Sequence, residues 1–174
     1  SMGVPYERLV YLKQVHGSNI VRFDEMSQPL DDTSKIIRRI DNCDAIITSG
    51  VGTPIAIHTA DCAPLFFLDA ENKAIGLAHI GWKGAIHGLV SKTDQALRGQ
   101  FLSKPEALHV AIGPMIRRCC YKVGEEFRQM FGDYVTEENG KYHCDLAGYI
   151  HQELKSEGLA ANNILDTELC TSCD

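Results

Sequence analysis

The chain has 174 residues, 44% hydrophobic and 23% charged, the make-up of one globular domain rather than of a disordered or collagenous chain. A net charge of −6 without a long basic run argues against nucleic acid as the main partner, and no apolar run is long enough for a transmembrane helix. Seven cysteines and the absence of a signal peptide at Ser1-Met2-Gly3-Val4 point to reduced thiols in the cytoplasm rather than to a disulfide scaffold.

The Ser-Met start reads as an expression-tag remnant. Leu9 to Leu12 and Asn19 to Phe23 read as strands on either side of Gln14-Val15-His16-Gly17-Ser18. Asp24 to Asn42 reads as a loop. The clusters Lys35 with Arg38–Arg39, and Arg117–Arg118, read as solvated surface charge. Asp44 to Thr48 and Pro54 to His58 are short apolar strands separated by the turn signal Ser49-Gly50-Val51-Gly52. Leu65 to Leu68 and Ala74 to His79 form a predicted hairpin.

Ile86, Leu89, Val90, Thr93 and Leu97 then fall on one helical face after Gly81-Trp82-Lys83-Gly84. Ala107 to Ile112 is a strand, Val123 to Phe131 a short helix ending at Gly132, and Asn163 to Thr167 a last strand. The helix through Leu146, Ile150 and Leu154 starts at the N-cap Asp145 and stops at Gly158. Strands cluster first and helices later, so the expected class is α+β, with mixed layers rather than a regular βαβ winding.

Three residues place chemistry at strand–turn junctions: His16 in KQVHG, Cys62 in TADCAP and His79 in LAHIGWKG. Two imidazoles and a thiolate satisfy three positions of a tetrahedral zinc and leave a fourth open, as in catalytic sites. The same Cys and His can instead form a thiolate–imidazole pair. Asp61 either orients a ligand or caps a turn, and His58 reads as a hydrogen-bonded interior residue. The Gly81–Gly84 turn with Lys83 is a candidate anion site at a helix start. Trp82 can stack on a flat ligand or belong to the core. Adjacent Cys119 and Cys120 cannot easily face one metal, so at least one reads as core. The terminal Cys170-Thr171-Ser172-Cys173 lacks a second pair to complete a zinc ribbon.

Taken in order, KQVHG, CDAIITSGVGTPIAIHTADCAPLFFLD, AIGLAHIGWKGAIHGLV, AIGPMIRRCCYKVG and HCDLAGYIHQEL resemble the YfiH-type family. Its members were once labelled multicopper polyphenol oxidoreductases or laccases and are now regarded as purine nucleoside phosphorylases. The resemblance implies a layered α/β sandwich with mixed sheets, akin to toxin-type cysteine hydrolases of the CNF kind. It implies zinc, with copper as the other metal, held by His16, Cys62 and His79, which also form the catalytic centre. It implies purine nucleosides and phosphate as substrates: phosphorolysis of adenosine, inosine and methylthioadenosine, and deamination of adenosine. A cysteine hydrolase acting on a peptidoglycan precursor, with Cys62 as nucleophile, is the alternative. Two departures stand out. Lys83 replaces the Arg of the family's GWRG, and residues 1–174 are expected to be a single domain without the family's N- and C-terminal extensions.

Overall fold

The computed structural model describes residues 9–24 and 38–174, so Ser1 to Val4, Lys35 and most of the predicted 24–42 loop lie outside the described residues. In chain order the strands are β1 (Val10–Lys13), β2 (Ile20–Arg22), β3 (Arg38–Asp41), β4 (Ala45–Thr48), β5 (Ile55–Ala56), β6 (Ala63–Asp69), β7 (Ala74–Ile80), β8 (Leu108–Ile112), β9 (Lys122–Val123), β10 (Val135–Glu138), β11 (Lys141–Cys144) and β12 (Ile164–Asp166). The helices are α1 (Trp82–Ile86), α2 (Leu89–Phe101), α3 (Phe127–Phe131) and α4 (Leu146–Ser156).

The architecture is α+β with mixed sheets, as the sequence implies. A six-stranded sheet runs β12-β8-β6-β7-β4-β2, antiparallel at its centre and parallel at both edges. One face packs α2 and α4 through Leu65, Phe67, Ile80, Leu97 and Ile150. The other face is covered at one side by the small parallel sheet β3-β1-β5, where Val10 and Leu12 meet Ile46 and Leu77. Burial of these side chains contributes about 1.5–3 kcal/mol each and sets the layer order. At Gly76 a Cβ would press on Ile47, Phe67 and Leu97, which is how α2 comes close to the sheet.

Local signals account for most elements. Asp145 caps α4 by accepting from the Gly148 amide at 3.0 Å. Gly88, at φ 71, breaks the predicted single helix into α1 and α2. Three features differ from the sequence reading. Val123, read as the start of a short helix, lies in β9, and α3 begins only at Phe127. β3 lies inside the stretch read as a loop, because Arg38-Arg39-Ile40-Asp41 carries one apolar side chain and, among the described residues, pairs only with β1. The β10–β11 hairpin goes unread although its turn is Asn139-Gly140, at φ 53 and 72, the dipeptide that favours such a turn.

Candidate active site

The site grows from the pairing of β7 with β6 on one side and β4 on the other. Ala63 pairs with Ile80, so Cys62, just before β6, comes beside Gly81, just after β7. Ala45 pairs with Ala78, and the His79 amide donates to the Asp44 carbonyl at 2.8 Å. Asp44 and His79 are therefore cross-strand neighbours on the face that carries Ile46 and Leu77.

Asp44 is 0% exposed and His79 4%. His79 Nδ1 lies 3.0 Å from Asp44 Oδ1. An ionised carboxylate only accepts, so the imidazole proton sits on Nδ1 and Nε2 keeps its lone pair. Burial pushes the His79 imidazole below its ordinary range; the Asp44 hydrogen bond opposes this and nearby His16 reinforces it. The ring is thus neutral near pH 7, the form that binds metals.

The same carboxylate positions the third donor. The loop between β1 and β2 wraps over Asp44, whose Oδ1 accepts the His16 amide at 2.9 Å and whose Oδ2 accepts those of Gly17 at 2.8 Å and Val15 at 3.3 Å. These bonds hold His16 at φ 56, a left-handed conformation that costs a non-glycine residue about 1 kcal/mol or more. The His16 ring stands edge-on to His79, with centroids 4.8 Å apart and planes at 79°. One donor atom from each of His16, Cys62 and His79 lies within 4.8 Å of the others.

Burial pushes the Cys62 thiol up, and the charges of Asp61 and Asp44 push it further. That favours neither a free thiolate nor a ready nucleophile, whereas a cation placed against the sulfur inverts the preference. Gly81 lets the sulfur in: a Cβ there would sit 3.0 Å from Cys62 Sγ and 3.4 Å from His16 Cδ2. Two imidazoles and one thiol, with His16 on the solvent side, make a donor set that fits a single catalytic zinc. They do not build several copper centres: among the remaining histidines His58, His87 and His109 are exposed, His143 lies in β11 and His151 bonds Asp166.

The other singled-out residues lie around this centre. Asp61 is not among these clustered donors; its carboxylate accepts from Thr171 Oγ1 at 2.7 Å and its carbonyl from the Ile116 amide at 2.9 Å. Lys83 is exposed, with Nζ 5.5 Å from the Trp82 ring centroid. Trp82 is half-buried and packs on Phe127 at 5.3 Å. Gly84 is buried, where a Cβ would lie 3.2 Å from the Gly17 carbonyl, so it locks α1 against the His16 loop.

Three readings are corrected. His58 is exposed rather than interior: β5 ends at Ala56, and the His58 backbone leaves the sheet to bond the Gln14 side chain. Arg117 is not solvated charge, because it pairs with Asp166 with its side chain only 14% exposed. Cys119 and Cys120 do point the same way, since the four sulfurs of Cys119, Cys120, Cys170 and Cys173 lie within 4.8 Å of one another. Sequence reasoning also missed Asp44. Its signal is a carboxylate at the mouth of the wholly buried Ala45-Ile46-Ile47-Thr48.

A candidate metalloenzyme site on a mixed α+β scaffold is the class this geometry defines. The sequence profile of the family described as multi-copper polyphenol oxidoreductase laccase matches residues 1–174, and the chain belongs to this YfiH-type family. A purine nucleoside phosphorylase of Clostridium acetobutylicum is 34% identical over 169 residues, which cover 94% of this chain and 65% of that protein. Adenosine deaminase RL5, from an unknown prokaryotic organism, is 28% identical over 185 residues, covering 99% and 69% of the two chains. The crystal structure of the Bacillus licheniformis protein YfiH superposes with a TM-score of 0.85 at 26% identity, covering 97% of this chain and 66% of that one. The chain thus spans about two thirds of the length of these relatives. The first two of these relatives carry the names of enzymes that act on purine nucleosides. Among the described residues no helix is long and apolar enough to cross a membrane.

Proposed function

We propose that the chain is a zinc-dependent purine nucleoside phosphorylase acting on adenosine, inosine and methylthioadenosine, with adenosine deamination as a second activity of the same site. The observation that carries this reading is the convergence of His16, Cys62 and His79 in front of one buried carboxylate, Asp44. The substrate class comes from the names of the relatives.

Zinc held by these three residues supplies a Lewis acid at neutral pH. Asp44 keeps the His79 proton on Nδ1, so Nε2 stays available as a donor, and Cys62 gives up its proton when it becomes a ligand. In phosphorolysis a phosphate oxygen bonds C1′ of the ribose while the bond from C1′ to the purine breaks and the purine keeps the electron pair. Lys83, exposed beside the site, supplies positive charge for the phosphate, though as a point charge rather than the planar fork of an arginine.

One observation favours a second reading. Cys62, His79 and Asp44 stand in the order nucleophile, base and orienting carboxylate, the arrangement of a cysteine hydrolase acting on a peptidoglycan precursor. The upward push on the Cys62 thiol weighs against it.

The test is chromatography of adenosine incubated with the protein, with and without phosphate, beside Cys62→Ala and a chelated sample. Adenine and ribose 1-phosphate formed only with phosphate, and only by the untreated wild type, support phosphorolysis at this site. Inosine formed without phosphate marks deamination. Wild-type turnover in Cys62→Ala removes the site assignment. Hydrolysis of a peptidoglycan precursor that survives chelation and leaves a covalent adduct on Cys62 establishes the second reading instead.

A further inference from the structure

A second group of donors lies apart from the histidines. Cys119 and Cys120 sit in the turn after β8, where the amides of Cys120 and Tyr121 both donate to the Arg117 carbonyl, at 2.9 and 2.8 Å. This tight turn swings two adjacent side chains to one side. Cys170 and Cys173 form a CxxC turn across from it, anchored where Cys170 bridges Met115 in parallel and the Thr171 amide donates to the Met115 carbonyl at 3.1 Å. The CxxC that lacks a partner pair in the sequence meets that pair in space.

We propose that Cys119, Cys120, Cys170 and Cys173 bind a structural zinc ion as a four-thiolate site that clasps these two turns together. The spacing matches. A tetrahedron with Zn–S bonds of about 2.3 Å has edges of about 3.8 Å. Cys119 Sγ lies 3.7 Å from both Cys170 Sγ and Cys173 Sγ, and all four sulfurs are within 4.8 Å of one another. These separations are far from the ~2.05 Å of a disulfide, and all four cysteines are free. The donor set is soft and closed, which suits zinc in a structural rather than a catalytic role.

Backbone N–H groups of Arg117, Ser172 and Cys173 converge on the Cys170 sulfur and fix its direction. Cys170 is buried while Cys119 and Cys173 are exposed, so the ion has a path in. Binding exchanges four S–H protons for one divalent cation, leaving a centre of charge −2 beside exposed Arg118.

The clasp reaches the first site through Asp61. Thr171, inside the CxxC, donates its hydroxyl to the Asp61 carboxylate at 2.7 Å, and Ile116 donates its amide to the Asp61 carbonyl at 2.9 Å. Asp61 immediately precedes Cys62. The two turns that the zinc joins are therefore the two that hold the Cys62 loop in place. This role is structural; it supplies no donor to the substrate side.

Cys62→Ala, which removes a donor from the histidine group, provides the background for the test. Purified without chelator, it should carry about one tightly held zinc per chain by elemental analysis, and adding Cys119→Ser with Cys173→Ser should reduce this to about none. Reconstituted with cobalt, Cys62→Ala should show tetrahedral d–d bands and intense sulfur-to-cobalt charge transfer, a signature that does not depend on the serine variant folding. Zinc content unaffected by the serine substitutions, cobalt spectra without thiolate charge transfer, or intact-mass evidence of disulfides among these cysteines in freshly purified protein would each overturn the proposal. Iron in place of zinc would overturn the choice of metal.

Discussion

Asp44 and His79 face each other across β4 and β7, joined by a side-chain hydrogen bond of 3.0 Å and by a 2.8 Å bond from the His79 amide to the Asp44 carbonyl. The same buried carboxylate receives the amides of Val15, His16 and Gly17. One side chain thereby fixes the ring of one candidate metal donor and the backbone of another, so residues far apart in sequence are held as a unit.

Asp44→Asn is expected to lower zinc affinity about ten- to a hundredfold, the usual effect of losing a partner that orients a ligand. The amide keeps one acceptor oxygen but turns an NH2 group toward N–H donors, so stability should also fall by about 1–3 kcal/mol. Competition against a chromophoric chelator measures the first effect and urea unfolding the second. Unchanged zinc affinity in a folded Asp44→Asn protein would show that Asp44 supports the loop but not the metal.

Gly81→Ala tests the close approach of Cys62. The backbone there has φ −86, which alanine adopts without strain, so the effect comes from its Cβ at 3.0 Å from the sulfur. Crowding of this kind costs about 1–3 kcal/mol, and it falls on the donors. Zinc content and turnover should drop together, the latter at least about tenfold. Gly99→Ala is the control. Gly99 lies in α2 with nothing within 4 Å of an added Cβ, so alanine should raise stability by about 0.5–1 kcal/mol and leave turnover alone.

Much of this site is legible in the sequence, and the missing parts share one cause. His16, Cys62 and His79 stand out because each is a polar residue where an apolar run meets a turn. Asp44 looks like an ordinary strand-opening residue until the β4–β7 register sets it opposite His79, and register is not written in either strand alone. Cys119 and Cys170 are 51 residues apart, so their meeting is likewise a tertiary fact. Elements were lost where alternation is weak: β3 offers only Ile40 to a core, and Glu137, Glu138 and Lys141 flank the Asn139-Gly140 turn with charge. His58 misled in the opposite direction, because its apolar neighbour Ile57 extends the pattern of a strand that ends at Ala56.

Lys83→Ala separates anion binding from metal binding. Its Nζ rests over the Trp82 ring and it is not among the metal donors, so zinc content should stay at the wild-type level. If Lys83 meets phosphate, KM for phosphate should rise about tenfold with a smaller change in KM for the nucleoside. Lys83→Arg should retain or improve phosphate binding through its planar fork. Equal phosphate KM in all three proteins would place the phosphate elsewhere.

Acid should weaken the fold through Asp166. Burial alone would push its carboxyl up, but hydrogen bonds from Arg117, the Glu168 backbone and His151 outweigh burial and hold it at about 2. Its ordinary value in an unfolded chain is about 3.9, so the folded state binds the proton less readily. The resulting stability is fully present above about pH 5 and is lost as pH falls through about 4 toward 2. Allowing for solvent screening, it is worth about 1–2 kcal/mol. Asp166→Asn should therefore be less stable than wild type at pH 7, with a gap that narrows steadily as urea unfolding is repeated from pH 5 down to pH 3. Arg117 also donates to the Leu169 carbonyl at 3.2 Å, so the same ion pair steadies the chain that leads into Cys170. A gap that stays constant over that pH range would mean that Asp166 contributes packing rather than charge.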